Sequence, residues 1–374
     1  MLVLFALQAR QNNTSALYLA HLFRAALAED DELVQYIFGA FEFGGMSQHA
    51  QLLHTIVNAT KHRDSLSQYQ LPDWFRDAKF GMFMHWGVYS VPAHASDWYP
   101  RLMYRRESPV FEWHRQHWRP QSMFGYKDFI PMFRGDRGSL SPRSFLFRLG
   151  KRRFWIRALP ETACRLLLHN VAAERGQQVV LTCKGTAYPE HAAVLDIERG
   201  VASEIRELPW QTGTSVSWKS WGYIDNDSFK PSPEIVHEFV DVVSKNGNLS
   251  LNVRPKPDGV IPEQAEEIFR SMGRRMDVNG EAIYGTRPWK IYGEGPTSLA
   301  SGSFAEKKLK ELTFTPQDIR LTTRGDEIYA IFMAWSEHQA KIKGSRTLVQ
   351  SLTCRYGPIP ANSHPGGRYI QLRR

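Results

Sequence analysis

Short apolar runs alternate with helical stretches in the middle of the chain, and this alternation restricts the fold more than any other feature. Strand-like runs occur at residues 178–183, 192–195 and 249–253, and helices are indicated from residues 232 and 262 onward. Strands that alternate with helices in this way predict βα units and a parallel sheet. The first two runs pass directly into polar residues, as the strands of a barrel do at their carboxyl ends.

The two helices are predicted from their periodicity and end signals. Ser232 is placed at the N-cap of the first helix with Pro233 at its first helical position, and Ile235, Phe239 and Val243 form its buried stripe. In the second helix, the buried positions at i, i+3, i+4 and i+7 are Ala265, Ile268, Phe269 and Met272. Behind these helices, the alternating residues at 328–332 indicate a strand of a short β module.

A second informative block, residues 72–99, gathers polar and aromatic residues after one apolar run. The run at 80–84 leads into His85, and Asp97 and Trp98 follow in the same block. This block resembles the opening of the α-L-fucosidases of glycoside hydrolase family 29. In that family a first strand of similar sequence ends in His-Trp-Gly and is followed by Ser-Val-Pro-Ala and an acidic-Trp-Tyr triplet.

The resemblance stops near residue 134 and resumes from 178 to about 335. Its further blocks, in the order of the family, lie at residues 193–200, 209–212, 220–223, 241–249 and 279–289. Several long blocks in the right order make the resemblance specific, although each block alone would be weak.

The resemblance implies an α/β fold built on a (β/α)8-type TIM barrel with a C-terminal β-sandwich. We expect the barrel to be incomplete and the sandwich to be partial, because segment 134–163 is aberrant and the last residues lack a pattern. The predicted organisation is a helical N-terminal extension at 1–70, a barrel at 71–290 that includes the aberrant segment, and a partial β-sandwich domain at 291–374.

The implied activity is that of a retaining exo-glycosidase that hydrolyses terminal α-L-fucose from glycans. Such an enzyme needs two carboxyl groups about 5 Å apart, one as nucleophile and one as acid/base. The family's nucleophile is an Asp in a stretch that this chain lacks, so no nucleophile is identified. Gln211 stands where better-known relatives have the acid/base, and an amide donates no proton at neutral pH. Glu198 is therefore the candidate acid/base.

The resemblance also implies a set of substrate-binding residues. His85 would hydrogen-bond a fucose hydroxyl, Trp98 would pack on the methyl-bearing face of the sugar, and Asp97 would accept hydroxyl hydrogen bonds. Arg199 would clamp the substrate, and Gln211 would help to position it. Structural alternatives remain open for these residues: a core histidine, loop anchors, and a buried ion network around Arg199.

Two positions depart from the family's sequence. Arg254 stands where the family has Gly, and Arg275 stands where a Trp is usual. A Gly is often selected for a positive φ or a close backbone approach, so Arg254 is expected to strain its loop. An Arg left without a partner in a core would cost about 3 to 5 kcal/mol.

Charge and cysteine content leave the glycosidase prediction in place. The net charge is +9, and residues 134–157 concentrate basic side chains among aromatic ones, as in a nucleic-acid-binding segment. No binding fold surrounds that segment, so a fucosylated oligosaccharide or glycoconjugate remains the predicted partner rather than nucleic acid.

The cysteines are widely spaced and odd in number: Cys164, Cys183 and Cys354. This predicts neither a disulfide framework nor a metal site. No cofactor is expected.

Neither a signal peptide nor a membrane span is predicted, because the apolar start of the chain is short and lacks a basic region before it. The sequence assigns neither a compartment nor an oligomeric state. Because the nucleophile is missing, a second function stays open. The chain would then be an inactive fucosidase-like remnant or a fucose-binding protein.

Overall fold

The computed structural model describes a defined part of the chain. The described residues are 70–134, 178–184, 193–306, 308 and 312–334, together with the backbone of 351–355 and 368–373. The chain divides into two units, Met1–Pro72 with Arg157–Val194, and Asp73–Ile156 with Leu195–Arg374. The predicted extension at 1–70 and segment 134–163 lie outside the described residues except for residues 70 and 134.

Parallel strands form the first sheet. The strands of this part of the chain are β1 (Phe80–Met84), β2 (Thr182–Cys183), β3 (Val194–Glu198), β4 (Trp210–Ser215) and β5 (Gly247–Val253). Strands β1, β5, β4 and β3 lie side by side in that order, and every neighbouring pair is parallel. The first strand thus pairs with the last one, which is the pairing that closes a barrel. In the smaller unit, the Val194 N–H donates to the Leu181 carbonyl at 2.8 Å.

Helices precede and follow these strands along the chain. They are α1 (Asp73–Ala78), α2 (Tyr99–Leu102), α3 (Pro109–His117), α4 (Ser232–Ser244) and α5 (Glu263–Asn279), with 3₁₀ turns at Val88–Ser90, Tyr126–Met132 and Gly280–Ala282. All residues of β4 and β5 are buried, because a parallel sheet is covered on both faces. In α4 and α5 the predicted stripes are buried as expected.

The start of α4 differs from the prediction by one residue. Pro231 is the N-cap, and Ser232 is the first helical residue. The Ser232 hydroxyl donates to Ser271 Oγ of α5 at 3.0 Å, so a tertiary contact uses the side chain that the sequence assigned to the cap.

The main core lies between β5 and the two long helices. Leu249, Leu251 and Val253 point into it from β5 and are almost completely buried. The Phe80 ring of β1 packs edge-on against Phe239 of α4, with 5.5 Å between ring centroids. Each large apolar side chain buried in this way contributes about 1.5 to 3 kcal/mol.

A second, antiparallel sheet follows the barrel strands. It consists of β6 (Arg287–Glu294), β7 (Ile319–Arg324), β8 (Glu327–Phe332), β9 (Ser351–Arg355) and β10 (Arg368–Arg373) in the order β6-β7-β8-β10-β9. The strand predicted at 328–332 is β8. The two sheets confirm the predicted fold class, an incomplete barrel with a partial sandwich. Strand β6 spans the boundary drawn at residue 290, and the predicted domain limits stay predictions.

A buried triad of charges joins helix α4 to strand β7. Asp241 Oδ2 accepts from Lys245 Nζ at 2.8 Å, and Asp241 Oδ1 accepts from Arg320 Nε at 2.7 Å. The three side chains are at most 1% exposed. The carboxylate therefore neutralises two cations that would otherwise be buried without a partner.

Arg254 does not strain its loop. Its φ is not positive, its guanidinium pairs with Asp227, and its guanidinium carbon lies 4.8 Å from the centroid of the Phe229 ring. The expectation of strain was wrong, because Asp227 supplies the counter-charge that a buried Arg requires. Arg275 lies on α5 with part of its surface exposed.

Candidate active site

Trp221, in the loop between β4 and α4, lies at the centre of the predicted site residues. Its indole ring stacks on the His85 ring, with 5.2 Å between centroids and 22° between planes. The Arg199 guanidinium carbon lies 4.2 Å from the centroid of the same indole. A cation at this distance from an indole is attracted by its π-electrons, so the ring helps to hold Arg199.

The polar groups of Trp221 extend this arrangement. Its Nε1–H donates to Glu198 Oε1 at 3.1 Å, and its backbone N–H donates to Asp97 Oδ1 at 3.3 Å. Its carbonyl accepts from Asn252 Nδ2 at 2.7 Å. Trp221 thus contacts four predicted site residues, since His85 and Arg199 lie against its ring.

His85 follows the carboxyl end of β1, as predicted. Its backbone N–H donates to the Val253 carbonyl at 3.2 Å, which continues the pairing of β1 with β5. Its Nδ1 lies 2.8 Å from Asn252 Oδ1, and the Asn252 amide nitrogen donates to Trp221 O and Ser215 Oγ. These donor bonds orient the amide so that Asn252 Oδ1 faces the ring, and His85 Nδ1 therefore donates to it.

In the loop between β1 and α2, Asp97 makes protein contacts and Trp98 is largely exposed. Asp97 anchors the Trp221 backbone, and the Asp97 charge adds to burial in raising the pKa of Tyr89 above its usual range. Trp98 is 57% exposed, and the Arg101 guanidinium carbon lies 5.8 Å from its ring centroid. Its exposed face suits stacking on a sugar ring.

Arg199 occupies an unusual backbone position. Its φ is +50°, a left-handed value that costs a non-glycine residue about 1 to 2 kcal/mol. Its Nη1 donates to Glu306 and, at 3.4 Å, to the Ser217 carbonyl. Its Nη2 is buried and has no hydrogen-bond acceptor within the part of the chain that the structure describes. Strain and an unused donor are both typical of a functional residue.

Gln211 lies apart from these contacts. It is the second residue of β4 and pairs in register with Asp196 of β3 and Asn248 of β5, whereas Glu198 pairs with Gly213. Gln211 is thus nearer to the amino end of its strand than the residues around Trp221. Its predicted part in substrate binding stays a prediction.

Buried charges lie behind Arg199. Glu306 Oε2 accepts from Lys230 Nζ and from Thr214 Oγ1, both at 2.7 Å. Burial alone would raise the pKa of Glu306, but Lys230 and Arg199 lower it below its usual value, so the carboxylate is ionised. Glu238 Oε2 lies 4.0 Å from Lys230 Nζ, and burial raises the pKa of Glu238 to about 7.

Sequence reasoning missed three residues of this region: Trp221, Asn252 and Glu306. Trp221 lies in one of the family-like blocks, but its role depends on contacts across the fold. Asn252 had a usable signal, since it is a polar residue near the carboxyl end of a predicted strand. The described residues contain no cluster of three or more His, Cys, Asp or Glu side chains that could hold a metal ion. Within the same residues, no helix has the length and apolarity needed to cross a membrane.

Comparison with known proteins identifies the family. The family model for α-L-fucosidase matches residues 47–138 and 166–281. The chain belongs to the α-L-fucosidase family. The match starts inside the predicted extension at 1–70, so the family likeness begins earlier than the sequence analysis placed it. The interval between the two matched segments falls largely on segment 134–163.

Two named relatives and two solved structures illustrate what this chain is similar to. Rat tissue α-L-fucosidase is 23% identical over 417 residues, covering 82% of this chain and 84% of the relative. Human tissue α-L-fucosidase is 24% identical, covering 73% and 78%. The α-fucosidase of Thermotoga maritima, solved with fucose, is 19% identical with a TM-score of 0.56 and covers 83% of this chain and 94% of its own. A further solved α-L-fucosidase has a TM-score of 0.59 at 18% identity, covering 83% and 99%.

Proposed function

We propose that this chain is an α-L-fucosidase that hydrolyses terminal α-L-fucose from fucosylated oligosaccharides or glycoconjugates with retention of configuration. The observation that carries the proposal is the convergence of His85, Asp97, Glu198 and Arg199 on Trp221, within a chain that belongs to the α-L-fucosidase family. These residues combine a carboxyl group with donors and acceptors for sugar hydroxyls.

Glu198 is the acid/base of the proposed reaction. Its carboxyl group ends β3, is partly exposed, and accepts from Trp221 Nε1 at 3.1 Å, so one oxygen is held in place. The protonated carboxyl group would donate its proton to the glycosidic oxygen while a nucleophile forms a bond to C1, and the carboxylate would then remove a proton from the water that attacks C1 and releases that nucleophile. We assign no nucleophile, since the corresponding stretch of the family is missing.

The other residues would bind the sugar. His85 would hydrogen-bond one sugar hydroxyl, the Asp97 carboxylate would accept from a second, and the Arg199 guanidinium would clamp the substrate. Trp98 would cover an apolar face of the ring with its exposed indole. A fucose-binding protein without turnover is the second candidate, because the sequence offers no residue that we can assign as the nucleophile.

The test combines turnover with binding. We would measure hydrolysis of 4-nitrophenyl α-L-fucoside and of a fucosyl disaccharide, and titrate L-fucose by calorimetry, for the wild type, Glu198→Gln and Glu266→Gln. Glu266 is a partly exposed residue of α5 and serves as the matched control. Glu198→Gln should lower turnover by about 10² to 10⁴-fold while L-fucose still binds. The loss should be greater for the disaccharide than for the 4-nitrophenyl fucoside, because a sugar hydroxyl is a poorer leaving group than 4-nitrophenol and depends more on protonation.

Each outcome bears on a different part of the proposal. Binding of L-fucose without turnover by the wild type supports the fucose-binding protein, and neither binding nor turnover rejects both candidates. Wild-type turnover that persists in Glu198→Gln would remove Glu198 from the acid/base role.

A further inference from the structure

Residues 301–306, which we call the strap, run along the loop that carries Glu198 and Arg199. The Phe304 N–H donates to the Glu198 carbonyl at 2.7 Å, and the Glu306 N–H donates to the Arg199 carbonyl at 3.0 Å. The Gly302 N–H donates to the Val201 carbonyl at 2.9 Å. The backbone that leaves β3 is therefore held by a segment that precedes the strand β7.

The fit between the strap and this loop is close. A Cβ atom on Gly200 would lie only 1.8 Å from the Gly302 carbonyl oxygen. No side chain can occupy that space without displacing backbone, so the absence of a side chain at Gly200 permits the strap to lie where it does.

The Glu306 side chain continues the contact into the site. One of its oxygens accepts from Arg199, and the other accepts from Lys230 and Thr214 at 2.7 Å each. Glu306 is 2% exposed. Both oxygens are thus occupied by protein donors, which makes Glu306 unsuited to proton transfer with a substrate and well suited to fixing Arg199.

We infer that Glu306 is a positioning residue of the fucose site, which acts by holding the Arg199 guanidinium against Trp221. The inference rests on the proposed function for its effect on substrate. Its physical basis is charge: without the carboxylate, Arg199 and Lys230 are two buried cations with no shared counter-ion. The guanidinium then leaves the indole, and the indole N–H that holds Glu198 shifts with it.

The experiment uses the full chain and two readouts. We would titrate L-fucose into the wild type, Glu306→Gln, Arg199→Met and the double variant. We would also record the indole N–H resonance of Trp221, assigned with Trp221→Phe, in the protein without ligand. Glu306→Gln should weaken L-fucose binding about tenfold or more and shift the Trp221 resonance. The double variant should bind no more weakly than Arg199→Met, because Glu306 acts through Arg199.

Thr214→Val is the second variant, in case Glu306→Gln does not fold. It removes the hydrogen bond that Thr214 donates to Glu306 and the one that it accepts from Lys230, without changing charge. Its matched control is Thr322→Val, a buried threonine of β7 whose hydroxyl donates to the Ala282 carbonyl at 2.7 Å. Thr214→Val should shift the Trp221 resonance, and Thr322→Val should leave it in place.

The outcomes separate this inference from the proposed function. If the wild type binds no L-fucose, the proposed function fails, and the Trp221 resonance alone decides on Glu306. An unchanged Trp221 resonance in Glu306→Gln, or in Thr214→Val if the first variant does not fold, would overturn the positioning role. Additive losses of L-fucose affinity in the double variant would overturn it as well.

Discussion

The buried triad of Asp241, Lys245 and Arg320 allows a quantitative test of what joins the barrel helix α4 to the antiparallel sheet. Asp241→Asn keeps the shape of the side chain and removes its charge. Loss of one partner from a buried ion pair costs about 3 to 5 kcal/mol, and Asp241 serves two cations. The amide oxygen of Asn can retain one neutral hydrogen bond, about 1 kcal/mol, so we expect a loss near 3 kcal/mol.

The assay is urea unfolding followed by circular dichroism at neutral pH. The control is Glu266→Gln, which breaks an exposed pair with Arg270 on α5 and should cost less than about 1 kcal/mol. Replacing the whole triad by Asp241→Leu, Lys245→Met and Arg320→Met should restore most of the lost stability, since no member of the triad is then left as a buried charge without its partner. A loss below about 1 kcal/mol for Asp241→Asn would refute the reasoning.

Three further predictions concern a buried acid, the core and the exposed aromatic. Because burial raises the pKa of Glu238 from 4.5 to about 7, the unfolded chain ionises first and stability falls as pH rises through that window. In Glu238→Gln the free energy of unfolding should no longer fall in this range, whereas in the wild type it should fall by up to about 1.4 kcal/mol per pH unit. Urea titrations at several pH values measure this, and parallel pH profiles for the two proteins would contradict the prediction. Leu251→Ala should lower the free energy of unfolding by about 2 to 5 kcal/mol in thermal unfolding. A loss under about 1 kcal/mol, the size expected for a substitution at an exposed position, would show that Leu251 is not a core residue. Trp98→Ala should leave the melting temperature unchanged but weaken L-fucose binding, and unaltered affinity would exclude sugar stacking.

The sequence predicted correctly those parts of the fold that depend on residues close together in the chain. The stripe of α5 is buried as predicted because its spacing is a property of the helix alone. The cap of α4 was misplaced because Ser232 bonds to Ser271, a residue of another helix. Arg254 was misjudged for the same reason, since its partner Asp227 lies in a different loop.

The candidate site likewise contains residues that the sequence predicted and residues that it did not. His85 and Glu198 were predicted with the help of the family resemblance, and they lie at the carboxyl ends of β1 and β3. The role of Trp221 could not be read from its block, because it depends on the ring of His85 and on carboxyl groups from two other segments. Glu306 gave no signal at all, since its contacts with Arg199 and Lys230 exist only after the chain has folded.

The pairing of β1 with β5 sets the order of events during synthesis. His85 and its partner Asn252 are 167 residues apart in the chain. Closing a loop of that length costs about 4 to 5 kcal/mol of chain entropy. The contacts of the site that offset this cost can form only after β5 has left the ribosome. During that interval β1 lacks the strand that will pair with it. A nascent chain of this protein therefore carries an unpaired apolar strand while residues 85–252 are synthesised, and chaperone binding or aggregation would act on that edge first.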